Sequence, residues 1–139
     1  MEKSYQQLVK NRIFIGGADD INELLNNEKI DVIYDLRAEA DSGQHVKQRV
    51  HLPIVDDSEK QDDSVKRALD EVEKAYNENK NIYFHCSGGK NRTGTVAIGT
   101  LINLGLADIV DEAERKAKSI RPAIQVKPEM KDTLNRLYK

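Results

Sequence analysis

Apolar positions along this chain follow two alternating rhythms. Short dense runs such as Ile13-Phe14-Ile15, Val32-Ile33-Tyr34 and Ile82-Tyr83-Phe84 are rich in β-branched and aromatic residues and bounded by polar or glycine positions, which predicts strands. These strands are expected over Arg12–Gly16, ended by Gly16-Gly17, then Asp31–Leu36, Gln48–Ile54 with Pro53 near its end, and Asn81–His85. Between them the period lengthens. Val65, Leu69, Val72 and Tyr76 recur at three- and four-residue spacing and predict a helix over Ser64–Asn79. Asp19 or Asp20 is placed to cap a short helix through Asn26, and Val55–Asp63 is polar and loop-like. After the last strand come a largely apolar helix over Arg92–Leu104 closed by Gly105, a helix over roughly Ala107–Ser119 that stops before Arg121-Pro122, and a final helix after Pro128.

Alternating strand and helix signals imply an α/β fold: a central, mainly parallel sheet of four to five strands flanked by helices on both faces. Functional groups in such a sheet gather at the carboxyl ends of the strands. With 139 residues and no repeats, low-complexity tracts or linkers, the chain is expected to form a single domain over 1–139.

Charge removes several function classes. The net charge is −2 and the charged residues, 33% of the chain, are mixed in sign, so no basic field invites nucleic acid or a membrane surface. No apolar run is long enough to span a bilayer, and Met1–Gln6 lacks the apolar core of a signal peptide. The single cysteine excludes an internal disulfide and fits a reducing, cytoplasmic location. His45, His51 and His85 share no ligand spacing with each other or with Cys86. No metal site and no cofactor is expected, and the protein is expected to be a monomer.

The chemistry concentrates in His85-Cys86-Ser87-Gly88-Gly89-Lys90-Asn91-Arg92-Thr93-Gly94. A strand leads into this stretch and a helix leads out, so the loop points backbone N–H groups at one spot beside the helix's partial positive charge. Gly88, Gly89 or both supply the backbone angles that turn the amides inward. Arg92 offers a planar two-pronged donor to a phosphate. Cys86, at the mouth, sits in an electropositive cup that favours thiolate. Thr93 places a hydroxyl beside the sulfur, or serves as helix N-cap, or both. His85 fixes the loop by hydrogen bonds and adds to the local field, or is simply a satisfied structural histidine. A nucleophile and an oxyanion cradle in one segment imply attack on phosphorus.

These residues resemble the signature loop of the cysteine-dependent protein tyrosine phosphatase superfamily, His-Cys-x5-Arg-Ser/Thr, and within it the compact dual-specificity branch with its bacterial and archaeal relatives. The likeness extends to Ile13-Phe14-Ile15-Gly16-Gly17 as an opening strand, to Leu52-Pro53-Ile54-Val55-Asp56, and to Ile120-Arg121-Pro122 with the residues after it. The resemblance implies a phosphate monoester hydrolase with a phosphocysteine intermediate. Cys86 would be the nucleophile, the amides of Ser87, Gly88, Gly89, Lys90, Asn91 and Arg92 with the Arg92 guanidinium would hold the phosphoryl oxygens, and Asp56, or its neighbour Asp57, would be the general acid. The substrates it implies are phosphorylated proteins, through a pocket shallow enough for phosphoserine, phosphothreonine and phosphotyrosine. In resembling phosphoinositide and inositol phosphate phosphatases a lysine occupies the place of Lys90, which keeps inositol phosphates as an alternative. Asp35 and Arg37 read as structure at a strand end, and Arg121 as a scaffold contact. A non-catalytic phosphate-binding domain would keep the cup but lose the chemistry, and the intact Cys86, Arg92 and Thr93 argue against it. A rhodanese-like carrier or arsenate reductase also uses a loop cysteine, but the chain has no second thiol for a relay.

Overall fold

The structure is a computed structural model that describes residues 4–38, 48–55 and 61–138. Its elements are β1 (Gln6–Val9), β2 (Ile13–Gly17), a 3-10 turn (Ala18–Asp20) running into α1 (Ile21–Asn27), β3 (Val32–Arg37), β4 (Arg49–Ile54), α2 (Gln61–Asn77), β5 (Ile82–Cys86), α3 (Arg92–Asn103), α4 (Val110–Ile120) and α5 (Pro128–Leu137). The five strands form one sheet in the order β1-β2-β5-β3-β4. β2, β5, β3 and β4 are parallel, and β1 adds to β2 antiparallel. The mainly parallel α/β sheet expected from the sequence is therefore present.

β5 lies at the centre, where its apolar residues are buried on both faces of the sheet; all five of its residues are buried. Its side chains divide by the two-residue period of a strand. Ile82 and Phe84 join Ile13, Ile15, Tyr34 and Leu36 in the larger core beneath α2, α3, α4 and α5. Tyr83 faces the other way and packs with Phe14, Ile33, Ile21 and Leu24 under α1. The sheet is thus covered on both faces, which is why its inner strands are continuously apolar instead of alternating.

β1 was not foreseen from the sequence. Its residues, Gln6-Gln7-Leu8-Val9, bury only Leu8, too weak a signal for a strand. Its existence depends on pairing with β2, with Gln7 opposite Phe14 and Val9 opposite Ile13. Asn11 makes the reversal possible at φ 63°, a conformation asparagine tolerates better than most residues. Helix boundaries also shifted. α2 starts at Gln61, three residues early, with Asp62 and Asp63 in its first turn where the helix dipole favours carboxylates. α4 starts at Val110 instead of Ala107, because the chain leaves α3 through a Schellman turn: Gly105, at φ 76°, donates its N–H to Ile102 O and Leu106 donates to Leu101 O. Asp20 does precede α1, but its carboxylate accepts the Gly17 N–H at 2.8 Å instead of capping that helix.

Asp35 lies near the carboxyl end of β3 and is fully enclosed. Arg37 donates to it through Nε at 2.9 Å and Nη2 at 2.7 Å, and Arg49 of β4 through Nη2 at 2.8 Å. Burial pushes the carboxyl up, but the hydrogen bonds from Arg37 and Arg49 outweigh it and hold the pKa well below its ordinary 3.8. This triad fastens the adjoining strand ends β3 and β4. Asp35→Ala is expected to destabilise the fold by about 2–3 kcal/mol, because the charge-assisted hydrogen bonds from Arg37 and Arg49 to the enclosed carboxylate are lost. Urea denaturation checks the size. Because the folded pKa is depressed, the triad's contribution is complete above the unfolded carboxyl pKa of about 3.9 and is lost as pH falls toward the folded value. The wild-type midpoint should therefore fall in acid more steeply than that of the variant; equal slopes would contradict the assignment.

Candidate active site

The parallel strands deliver Gly17, Cys86, Arg37 and Ile54 to one edge of the sheet, their carboxyl ends. In the β2–β5 register Gly16 lies opposite His85 and Gly17 opposite Cys86, so the two glycines extend β2 instead of turning, and the end of that strand runs against the loop that follows β5. This contact is tight. Ala18 N–H donates to Ser87 O at 3.1 Å, and a Cβ on Gly17 would stand 2.9 Å from that same carbonyl oxygen. Tyr83 adds a buried hydroxyl that donates to Gly17 O at 2.6 Å.

Residues 87–91 carry the chain from β5 to the first turn of α3, which begins at Arg92. Of the two candidate glycines, Gly89 is the one the backbone requires. Its φ is +69°, and an added Cβ would meet Arg121 Nη2 at 2.6 Å and the Gly16 carbonyl carbon and oxygen at 2.7 Å. Gly88 has a negative-φ backbone and open space around it, the nearest atoms being the Lys90 side chain at 3.9 Å or more. Ser87, Gly88 and Lys90 are exposed, Gly89 is buried, and Asn91 and Arg92 are half-buried.

Cys86 is only 3% exposed. Its sulfur accepts the Thr93 hydroxyl at 3.1 Å and backbone N–H groups from Thr93, Gly89 and Lys90. Burial alone would raise the thiol pKa; the four donors outweigh it, and the net direction is down, toward thiolate. Thr93 stands at the second position of α3, past the N-cap Asn91, so its hydroxyl serves the sulfur, with Gly16 O as a second acceptor at 3.4 Å. His85 is fully enclosed and stacked on Tyr83, ring centroids 5.5 Å apart. Its Nδ1 lies 3.1 Å from Cys86 O; a carbonyl only accepts, so Nδ1 carries the hydrogen. Burial lowers the imidazole pKa, so near neutral pH the ring is uncharged and acts as a brace on the Cys86 carbonyl. The Asn91 side chain faces away from the loop mouth, accepting the Lys127 N–H at 2.8 Å.

The structure brings Cys86, Thr93, His85 and residues 87–92 together. Asp56 and Asp57 lie outside the described residues. The chain on either side of them is anchored: Val55 N–H donates to Ser64 Oγ at 3.0 Å, and Gln61 Nε2 donates to Glu129 O and Thr133 Oγ1, both at 2.9 Å. Two contributors were read from sequence as less than they are. Gly16-Gly17, expected only to end the strand, stay within β2 and back the loop. Arg121, read as scaffold, reaches the loop's own carbonyls. The hydrophobic strand that ends on paired glycines and the Arg121-Pro122 pair after a helix were the only local signals.

Comparison with protein families matches residues 18–133 to the family described as "PTP-SAK: Swiss Army Knife protein, DSP-PTPase phosphatase domain". The sequence comparison with curated proteins yields no match. Among solved structures the chain is similar to a mouse putative dual specificity phosphatase complexed with zinc tungstate, at TM-score 0.82 and 19% identity over 99% of this chain and 88% of that one. It is similar to human DUSP28, at TM-score 0.79 and 16% identity over 99% and 95% of the two chains. It is also similar to Tk-PTP in the active form, at TM-score 0.79 and 20% identity over 99% and 98%. Identities this low speak for the fold alone. Membership rests on the family match, which takes in most of the chain and the whole loop after β5: this chain belongs to the DSP-PTPase domains, cysteine-dependent phosphatases of the protein tyrosine phosphatase superfamily.

Proposed function

We propose that the protein hydrolyses phosphate monoesters on protein side chains, phosphotyrosine together with phosphoserine and phosphothreonine, through a phosphocysteine intermediate. The observation that carries this reading is the Cys86 sulfur at the focus of the Thr93 hydroxyl and three backbone N–H groups at the head of α3. The same groups that lower the thiol pKa are placed to receive phosphoryl oxygens. Cys86 Sγ attacks phosphorus in line, the S–P bond forms, and the bond to the leaving oxygen breaks. Asp56 gives that oxygen its proton. Water then attacks phosphorus, Asp56 takes a proton from it, and the S–P bond breaks to return thiolate and inorganic phosphate. Thr93 Oγ1 hydrogen-bonds the sulfur as it departs. Positive charge for the phosphoryl group comes from the loop amides and Arg92.

The test is phosphate release from a chromogenic aryl phosphate, followed by a panel of phosphopeptides, phosphoinositides and soluble inositol phosphates. Turnover of phosphopeptides supports the proposal; no release from any of them, with the fold intact, overturns it. A second reading, inositol phosphates as substrates, has one observation in its favour. The Lys90 stem lies along Gly88 at the exposed rim of the loop, its Cγ and Cε 3.9 and 4.0 Å from where a Gly88 Cβ would stand. Its ammonium, one bond beyond Cε, would offer a cation to a second phosphate on a polyanionic ring.

Asp56 as general acid makes a separate expectation. The rate should rise as thiolate and substrate dianion form and fall as the acid deprotonates, with an optimum near about pH 6. Asp56→Asn should remove the falling limb and slow alkyl phosphates more than nitrophenyl phosphate, whose leaving group barely needs a proton. If pH–rate profiles show the limb lost only in Asp57→Asn, the acid is the neighbouring residue.

A further inference from the structure

Arg121 begins the segment after α4 and is 7% exposed. Its guanidinium donates four hydrogen bonds: Nε to Gly89 O at 2.9 Å, Nη2 to Gly88 O at 3.2 Å, and Nη1 to Ser4 O at 2.8 Å and Gln6 Oε1 at 2.6 Å. All four acceptors are uncharged, and no salt bridge to Arg121 occurs among the described residues. A buried cation without a paired carboxylate is costly, and most arginines so enclosed have one.

The two loop carbonyls it holds belong to particular peptide units. Gly88 C=O shares its planar unit with Gly89 N–H, and Gly89 C=O shares its unit with Lys90 N–H. Those two N–H groups are two of the three backbone donors to the Cys86 sulfur. In a trans peptide N–H and C=O point in opposite directions, so a cation that fixes both carbonyls on the outside of the loop fixes both N–H groups on the inside. The cation also polarises each unit in the sense that strengthens its N–H as a donor.

We infer that Arg121 is a positioning residue for the reaction: through two peptide units it delivers its positive charge to the Cys86 thiolate and to the phosphoryl oxygens that replace it as acceptor. The inference rests on the proposal that Cys86 is the nucleophile of a phosphatase. It accounts for the Gly89 backbone, whose positive φ and missing Cβ let the guanidinium approach. It also accounts for a guanidinium that pairs with no carboxylate among the described residues, since a carboxylate bonded to Arg121 would cancel the field it exports. Gln125 N–H, donating to Lys90 O at 3.1 Å, anchors the same segment one residue further along the loop.

The experiment reads the thiol directly. Cys86 is the only cysteine, so the pH dependence of its alkylation by iodoacetamide reports its ionisation without any turnover. Wild type, Arg121→Gln, Arg121→Lys and Gln6→Ala are compared, with binding of inorganic phosphate to each and thermal unfolding as a record of folding. Among the described residues the ionisable groups around the loop besides Arg121 are Tyr83 and His85 on β5, Asp20 before α1, Lys90, and Arg92 on α3. All are retained, so a shift reads on position 121. Arg121→Gln is expected to raise the midpoint of alkylation by about one pH unit or more, since two hydrogen-bonded units lose their charged partner, and to weaken phosphate binding about tenfold. Arg121→Lys should give a smaller shift in the same direction, because one ammonium reaches fewer carbonyls; it decides the matter if the glutamine variant does not fold. Gln6→Ala removes a contact on the β1 side only and should lower thermal stability while leaving the midpoint in place. If the arginine variants melt lower but alkylate at the wild-type midpoint, Arg121 is a structural staple and the inference is overturned. A wild-type thiol that titrates like free cysteine overturns instead the reading of Cys86 as an activated nucleophile.

Discussion

Cys86→Ser is expected to abolish phosphate release while leaving phosphate binding in place. The loss should be on the order of 10⁴-fold or more in kcat, the scale seen when an enzyme's nucleophile is removed. Serine keeps the size and the position at the end of β5, but its hydroxyl, with a much higher pKa than a thiol, stays protonated beside donors that have already displaced the thiol equilibrium toward thiolate. The cradle survives because it is built from backbone: Gly89 is held by its own φ and by Arg121, and α3 still starts at Arg92. Inorganic phosphate or tungstate, titrated by calorimetry, should therefore bind the variant at least as well as wild type, with one negative charge gone from the base of the cup. Hydrolysis within a few-fold of wild type would show that Cys86 does not attack phosphorus. Loss of both hydrolysis and binding, with the melting temperature unchanged, would mean that the sulfur itself builds the cradle.

Arg92→Lys is expected to cost at least about 100-fold in kcat/KM, the magnitude associated with losing one key donor to a developing oxyanion. Arg92 is the first residue of α3 and half-buried, so its side chain starts from the rim of the loop and not from its floor. From there a planar fork can hold two phosphoryl oxygens together through the change from tetrahedral to trigonal-bipyramidal geometry. A lysine places a single point charge at the end of a flexible stem and keeps only one of those contacts. The loss should fall on both kcat and KM, since the ground-state dianion uses the same donors. A decline of only a few-fold would assign the work to the loop amides. Paired with the Arg121 variants, this measurement separates a residue that touches the phosphoryl group from one that acts through the peptide units behind it.

The parallel core strands and the signature loop were legible in the sequence because they depend on local patterning. Ile82-Tyr83-Phe84 is apolar on both faces and so announces a central strand. A cysteine six residues before an arginine, with a histidine before it, a threonine after the arginine and glycines between a strand and a helix, carries its resemblance to the signature loop in neighbouring residues. β1 was not legible, because two glutamines and a single buried leucine carry no strand pattern until β2 offers an edge. The choice between Gly88 and Gly89 could not be made from composition either, as both residues permit the turn. It was made by Arg121 and Gly16, which occupy the space where a Gly89 side chain would stand.

What the sequence determined by itself was thus the α/β class, the order of most elements and the place of the cysteine-bearing loop between a strand and a helix. Each of these rests on periodicity or on residues close in the chain. Only the tertiary structure decided which donors meet the sulfur, that His85 is enclosed and uncharged, and that an arginine beyond α4 holds two carbonyls of a loop 32 positions before it. The physical reason is that hydrogen-bond geometry and desolvation depend on what the folded chain places within about 3 Å of a group. For Arg121 those neighbours, Ser4, Gln6, Gly88 and Gly89, lie 32 to 117 positions away in the sequence.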